Sequence, residues 1–243
     1  MNANARPYIV LNNKSSRLIQ GLLISELPPI TKPKQRTRVE TIDGRDGDIV
    51  TPLGFSAYTK KVKIGLTYDY DIDDIIDYFN TSGRVVFSNE PDKYYKYAVY
   101  DQIDFERLIR FKTADINFHV QPFKYSDNEA AKTFTFKASD TSGSLTIRNN
   151  GNIYSRPTLT IKGSGDILIY LNQLQILKIS LNNNQTIIID AETMNATDST
   201  GSTLLNRLVT GNYDNIKLNV GSNTISYTGT VGSIIVDNYS RWI

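Results

Sequence analysis

Five carboxylates crowd one short stretch of the sequence: Asp69, Asp71, Asp73, Asp74 and Asp77. Acids at such spacing invite calcium, but an EF-hand loop needs Gly at its sixth position and Glu at its twelfth. Counted from Asp69 those positions hold Asp74 and Asn80, so the template fails at both. Helix capping is the better account. Asp69 or Asp71 can accept hydrogen bonds from the first amides of a helix, and Asp73 and Asp74 sit where the helix dipole favours negative charge.

The only histidine, His119, falls on the polar side of an alternating segment, with no G-x-S-x-G or H-x-x-x-H motif in support of a triad or metal centre. There is no cysteine, which removes thiol catalysis, disulfides and cysteine-ligated metal. No phosphate-binding glycine loop is present. A glycosidase pair would have to come from Asp140, Asp166, Asp190, Glu192, Asp198, Asp214 and Asp237 in the second half, and the sequence nominates no two of them. The residues therefore predict no enzyme, no cofactor and no metal.

Two charged features remain. Lys32, Lys34, Arg36 and Arg38 alternate to form a basic strip without interleaved aromatics. It reads as a solvated strand edge, as a partner for the acids at 69–77 on another subunit, or as a phosphate contact. Asp43-Gly44-Arg45-Asp46-Gly47-Asp48 carries two turn signals, with an arginine between carboxylates suited to bidentate pairing. Lys34, Arg36, Arg38, Arg45, Asp46, Asp71 and Asp74 are accordingly the candidate subunit-interface residues.

Mainly strands must position these side chains. Ile116, Phe118 and Val120 alternate with Asn117, His119 and Gln121, and the same rhythm recurs at Phe134/Phe136, Leu145/Ile147 and Leu159/Ile161. Further strands are read at 167–171, 174–181, 186–190, 216–220, 224–228 and 233–237. Asn149-Asn-Gly-Asn152, Gly163-Ser-Gly-Asp166, Asn182-Asn-Asn184 and Gly211-Asn212 separate them as turns. Short strands at this spacing point to a sandwich or barrel. One segment departs: Ile72, Ile75, Ile76 and Phe79 fall at i, i+3, i+4 and i+7, predicting a helix over about 71–80.

The chain also changes character near residue 137. Residues 1–135 hold 19 Lys/Arg and 18 Asp/Glu, whereas 136–243 hold 8 and 7 and draw their polarity from Asn, Ser, Thr and Gly. Two domains are expected, 1–136 and 137–243. The net charge of +2 calls for neither nucleic acid nor an anionic membrane. Apolar runs such as Ile187–Ile189 are far short of the ~20 residues that span a bilayer, and the polar start shows no secretory leader.

The ordered set of features resembles the distal tail protein (Dit) family of siphophages that infect Gram-positive hosts. In the first half the resemblance lies in Ile42-Asp-Gly-Arg-Asp-Gly-Asp48, a helix ending Asp77-Tyr-Phe-Asn80, Gly83-Arg-Val-Val-Phe87, Tyr94-Tyr-Lys-Tyr97 and Phe118-His-Val-Gln-Pro-Phe-Lys-Tyr125. In the second it lies in Asn149-Asn-Gly-Asn-Ile-Tyr-Ser-Arg-Pro157, Ile161-Lys-Gly-Ser-Gly-Asp166, Ile189-Asp-Ala-Glu192, Gly221-Ser-Asn223 and Arg241-Trp-Ile243.

The resemblance implies a mainly β protein: a β-sandwich-like first domain with one helix, forming a hexameric ring, and a galectin-like β-sandwich as the second. It implies a tail-tip or baseplate hub in the virion, made and assembled in the host cytoplasm. Its partners would be the tail tube protein, the tail-fibre or tail-associated lysin protein and receptor-binding proteins, with DNA merely passing through the ring. Galectins read galactose with a histidine and a stacking tryptophan. The second half has no histidine, and its only tryptophan is Trp242. The alternative function is a carbohydrate-binding module, with Tyr170, Tyr213, Tyr227 or Tyr239 stacking on sugar rings.

Overall fold

A computed structural model describes residues 6–137 and 139–243. It divides into two compact units, one ending at Asp127 and the other running Asn128–Trp242. The division falls ahead of the compositional seam because residues 132–135 form a strand that pairs with 233–236, near the end of the chain. Charge composition records what a surface meets, whereas the boundary follows backbone pairing.

The first unit comprises β1 (Ile9–Leu11), β2 (Lys14–Ser15), β3 (Leu22–Glu26), β4 (Gln35–Thr41), β5 (Asp48–Phe55), β6 (Tyr58–Leu66), β7 (Ser82–Phe87), β8 (Lys93–Ala98) and β9 (Thr113–Ser126). Helix α1 (Ile72–Phe79) joins β6 to β7, and α2 (Phe105–Phe111) joins β8 to β9. The main sheet has the strand order β2–β1–β7–β8–β9–β6–β3. Alternation decides its faces: Ala114, Ile116, Phe118 and Val120 of β9 point inward, as do Lys60, Val62 and Ile64 of β6. The amphipathic stripe of α1 buries Ile75 and Phe79 on that face. Phe118 lies at the centre, its ring 5.3 Å from Tyr97, 5.9 Å from Phe87 and 6.3 Å from Phe79. Burying each such side chain contributes about 1.5–3 kcal/mol.

α1 matches the periodicity, with Asp71 as its cap. α2 is a second helix that the apolar pattern did not reveal. Among its residues only Leu108 is buried, so no 3.6-residue stripe announces it. Asp104 caps its start by accepting from the Arg107 amide at 2.8 Å.

The second unit comprises β10 (Lys132–Thr135), β11 (Ser142–Asn149), β12 (Thr158–Leu171), β13 (Leu174–Asp190), β14 (Asn195–Thr197), β15 (Val209–Gly211) and β16 (Gly221–Asp237). The Gly163–Asp166 and Asn182–Asn184 segments, read as turns from sequence, instead lie within β12 and β13, which run through them as continuous strands. The registers of β12 with β13 and β16 shift near Gly163–Gly165, where the three-stranded ribbon bends. A Cβ on Gly163 would lie 2.5 Å from the Thr230 carbonyl, and one on Gly229 2.4 Å from that of Asp166, so glycine permits the corner. One half of the ribbon carries β10 and β14 at its edges, the other β11 and β15. Both halves contribute to one apolar core, including Ile161, Ile189 and Ile234 with Ile147, Ile169 and Tyr227, which makes the unit a β-sandwich. Residues 216–220, also read as a strand, follow a 3₁₀ turn (Tyr213–Asn215) and pair only through the Ser155–Leu218 bridge.

Candidate functional site

β4 and β5 form a two-stranded sheet of their own, an arm separate from the main sheet. Cross-strand pairs share a face, so Thr37/Pro52 and Val39/Val50 make one side apolar. Arg36, Arg38 and Glu40 occupy the other, where Arg38 pairs with Glu40 at 2.5 Å. Val39 and Val50 are more than half exposed, as is Leu53 near the register shift. A lone hairpin is marginal in water, and this one leaves most of both faces exposed. The arm therefore gathers five predicted interface residues: Lys34 at its root, Arg36 and Arg38 along it, Arg45 and Asp46 at its tip. The tip turn is closed by the Arg45 amide donating to the Ile42 carbonyl at 3.1 Å and by Thr41 Oγ1 donating to Asp48 at 3.2 Å. Gly44 and Gly47 supply the positive φ values of 81° and 77° that it needs.

The root of the arm is clamped to the first unit by a group that sequence reasoning missed. Lys60 is only 3% exposed, and its Nζ donates to the Pro29 carbonyl at 2.9 Å. The rings of Tyr95, Tyr58 and Phe87 surround the ammonium, their centroids 4.9, 5.6 and 5.7 Å away. Burial pushes its pKa down to about 8, against the opposing pull of Glu90. Glu90 accepts from Lys124 Nζ and from the Tyr95 hydroxyl, both at 2.6 Å. Burial and that carboxylate drive the Tyr95 hydroxyl far above the ordinary phenol value. Asn89 Nδ2 donates to the Pro28 carbonyl at 2.9 Å, so two consecutive prolines are held by their oxygens. The signal was parity: Lys60 shares the register of Val62 and Ile64.

Asp71 and Asp74 lie on a different element. Asp71 Oδ1 accepts from the amides of Asp73 at 2.9 Å and Asp74 at 3.3 Å, the capping geometry expected of it. Asp69, Asp73, Asp74 and Asp77 are exposed along α1 and the turn before it. His119 packs beside Tyr100, ring centroids 5.2 Å apart and planes tilted by 51°. Among the described residues no group of three or more His, Asp and Glu side chains is placed to hold a metal ion. Nor is any helix there long and apolar enough to cross a membrane.

Two of the four tyrosines proposed as sugar platforms are internal. Tyr227 and Tyr239 are 1% and 4% exposed, because both lie within the sandwich core. The Asn149–Pro157 segment is likewise structural. Asn149 Nδ2 donates to the Ile153 and Leu218 carbonyls at 2.9 and 3.2 Å, and its Oδ1 accepts from Gly151 N at 2.8 Å. Arg241, nearly inaccessible, donates to the Tyr154 carbonyl at 2.9 Å and to Glu192 at 3.1 Å.

No family model matches the sequence, and no curated protein matches it. Solved structures do. The chain is similar to the SPP1 Dit protein, described as a paradigm of the hub adsorption apparatus in phages infecting Gram-positive bacteria. That likeness has a TM-score of 0.65 at 18% identity and covers 98% of this chain and 100% of the other. A chain of the phage P2 baseplate in its activated conformation with Ca is similar at TM-score 0.56 and 9% identity, over 98% of each. The P2 baseplate structure with Sr gives 0.53 and 10%, over 95% and 97%. Arm, helix-bearing sheet and bent sandwich together therefore constitute the fold of a phage Dit, or baseplate hub, protein.

Proposed function

We propose that the chain is a structural component of a phage tail tip, in the virion, assembling as a hexameric ring that joins the tail tube protein to the tail-fibre or tail-associated lysin protein and to receptor-binding proteins. DNA passes through the ring without specific contacts, and no reaction is catalysed. The reading is carried by a fold likeness to a hub protein that runs through 98% of this chain. The bare arm supports it independently. A closed ring needs two different complementary patches on each subunit, and the basic strip at 32–38 and the acids at 69–77 are the candidate pair. The second unit, galectin-like in this reading, faces outward, and the chain is made and assembled in the host cytoplasm.

Light scattering with negative-stain images tests the proposal. The expected species has six times the 27.4 kDa chain mass and a central hole. A monomer at every concentration up to the solubility limit overturns the ring, and one that pellets with cell-wall glycan replaces it with the carbohydrate-binding alternative. Changing Lys34, Arg36 and Arg38 to Glu weakens the ring, most visibly at low salt, where the reversed charges are least screened. An unchanged ring in that variant removes the arm's basic face from the interface.

A further inference from the structure

Three Asx–Gly steps occur in the sequence: Asn150–Gly151, Asp43–Gly44 and Asp46–Gly47. At such a step the glycine amide nitrogen can attack the preceding side-chain carbonyl carbon, because glycine has no side chain to shield it. Ammonia leaves from asparagine, or water from aspartic acid, and a succinimide ring forms. Water then opens the ring, mostly at the main-chain carbonyl, and leaves an isoaspartyl linkage with one extra methylene in the backbone. At neutral pH the asparagine amide reacts faster than the carboxyl, so the sequence alone puts Asn150 first. The fold acts on the nucleophile instead. Gly151 N is buried and donates to Asn149 Oδ1 at 2.8 Å. The flanking amides of Asn150 and Asn152 donate to Ser240 Oγ at 2.9 Å and to the Arg241 carbonyl at 3.2 Å. A Cβ on Gly151 would collide with that carbonyl, so the backbone has no room to swing toward the Asn150 side chain.

The tip of the arm is the opposite case. Residues 41–48 are all exposed. Among the described residues no hydrogen bond engages the amide of Gly44 or Gly47, nor the carboxylate of Asp43 or Asp46. A Cβ on either glycine would meet nothing within 4 Å, so the space for attack is open. The two steps differ in one respect. Asp43 and Gly44 are the central residues of the turn that the Arg45 amide closes on the Ile42 carbonyl, and that bond must break before Asp43 can rotate into line. No turn bond of that kind is centred on Asp46 and Gly47. We propose that the arm tip is a site of spontaneous isoaspartate formation, at Asp46 first and Asp43 second, and that Asn150 stays unmodified in the folded chain. The reaction needs no enzyme: one water leaves on cyclisation and one returns on opening. It alters an exposed surface, at a residue read above as a subunit contact, and leaves the core untouched.

Ageing the purified full chain in warm neutral buffer, folded in one arm and in guanidinium in the other, tests this by peptide mapping. Isoaspartate is refused by endoproteinase Asp-N and labelled by isoaspartyl methyltransferase, without a change of mass, whereas deamidation of Asn150 shows as a gain in mass. The folded chain is expected to lose Asp-N cleavage at Asp46 first and at Asp43 later, with Asn150 at its parent mass. The chain in guanidinium is expected to follow the sequence order, with Asn150 modified ahead of both aspartates. Gly47→Ala, at a position with open space beside it, should suppress the Asp46 signal and leave the Asp43 signal in place. Circular dichroism checks that this variant is folded. A folded chain that modifies Asn150 ahead of Asp46, or that isomerises neither Asp46 nor Asp43, overturns the proposal. An Asp43 signal that precedes the Asp46 signal overturns the role given to the turn bond.

Discussion

Lys60→Met isolates the energetics of the arm's root. The folded ammonium titrates near 8 against an ordinary value of 10.5, so charging Lys60 inside the fold costs at most about 3 kcal/mol at pH 7. Methionine removes that cost and offers a sulfur to the surrounding rings, worth about 0.3–1.5 kcal/mol. Against this, the Pro29 carbonyl loses its donor, about 1–3 kcal/mol, and the cation–π contacts go, about 1–2 kcal/mol. The variant should therefore stand within about 1 kcal/mol of the parent at pH 7. The sign of the pH dependence follows from proton counts. Between pH 8 and 10.5 the unfolded chain keeps the Lys60 proton and the folded chain has lost it, so raising pH favours the folded parent. Two titrations at those values give the parent about 2 kcal/mol between pH 7 and 9.5, a gain that the variant lacks. Urea unfolding followed by tyrosine near-ultraviolet dichroism reads it, since 10 of the 15 tyrosines lie in the first unit. A parent–variant difference identical at both pH values refutes the buried-ammonium account. A variant more than about 3 kcal/mol weaker at pH 7 does so too.

Asp71→Ala deletes both bonds to the first amides of α1 and should cost about 1 kcal/mol, while Asp71→Asn keeps the cap and most of the stability. Equal melting of parent and Asp71→Ala chains would show the cap to be idle. Gly229→Ala combines a φ of 110° with a Cβ 2.4 Å from the Asp166 carbonyl, and should cost about 2–5 kcal/mol in thermal or urea unfolding. Gly201→Ala, at a φ of 75° with nothing near its Cβ, should cost clearly less. Equal losses would mean that backbone conformation alone, not the tight corner, makes glycine necessary at 229.

Legibility divided along a physical line. The pattern of β9, the stripe and cap of α1, and the turn at residues 42–48 were legible because each depends on residues a few positions apart, through periodicities of two and 3.6 and through glycine's freedom at positive φ. What lay beyond the sequence depends on partners far along the chain. Lys60 has the inward parity of Val62 and Ile64, but it carries the charge of exposed Lys61 and Lys63, and only the packing of Tyr95 and Phe87 against β6 makes a lysine tenable there. The glycines at 163 and 165 carry an ordinary turn signal, but pairing with β16 keeps the strand going and turns the signal into a bend. α2 is set by its cap and by one buried leucine, too little for a periodic pattern. Asn149 and Arg241 are polar residues that tertiary contacts place inside. The basic strip was visible as charge. That it rides a hairpin with most of both faces exposed is a matter of what fails to pack against it. Sequence specifies local preference, and only the assembled tertiary structure decides which surfaces are left over for another molecule.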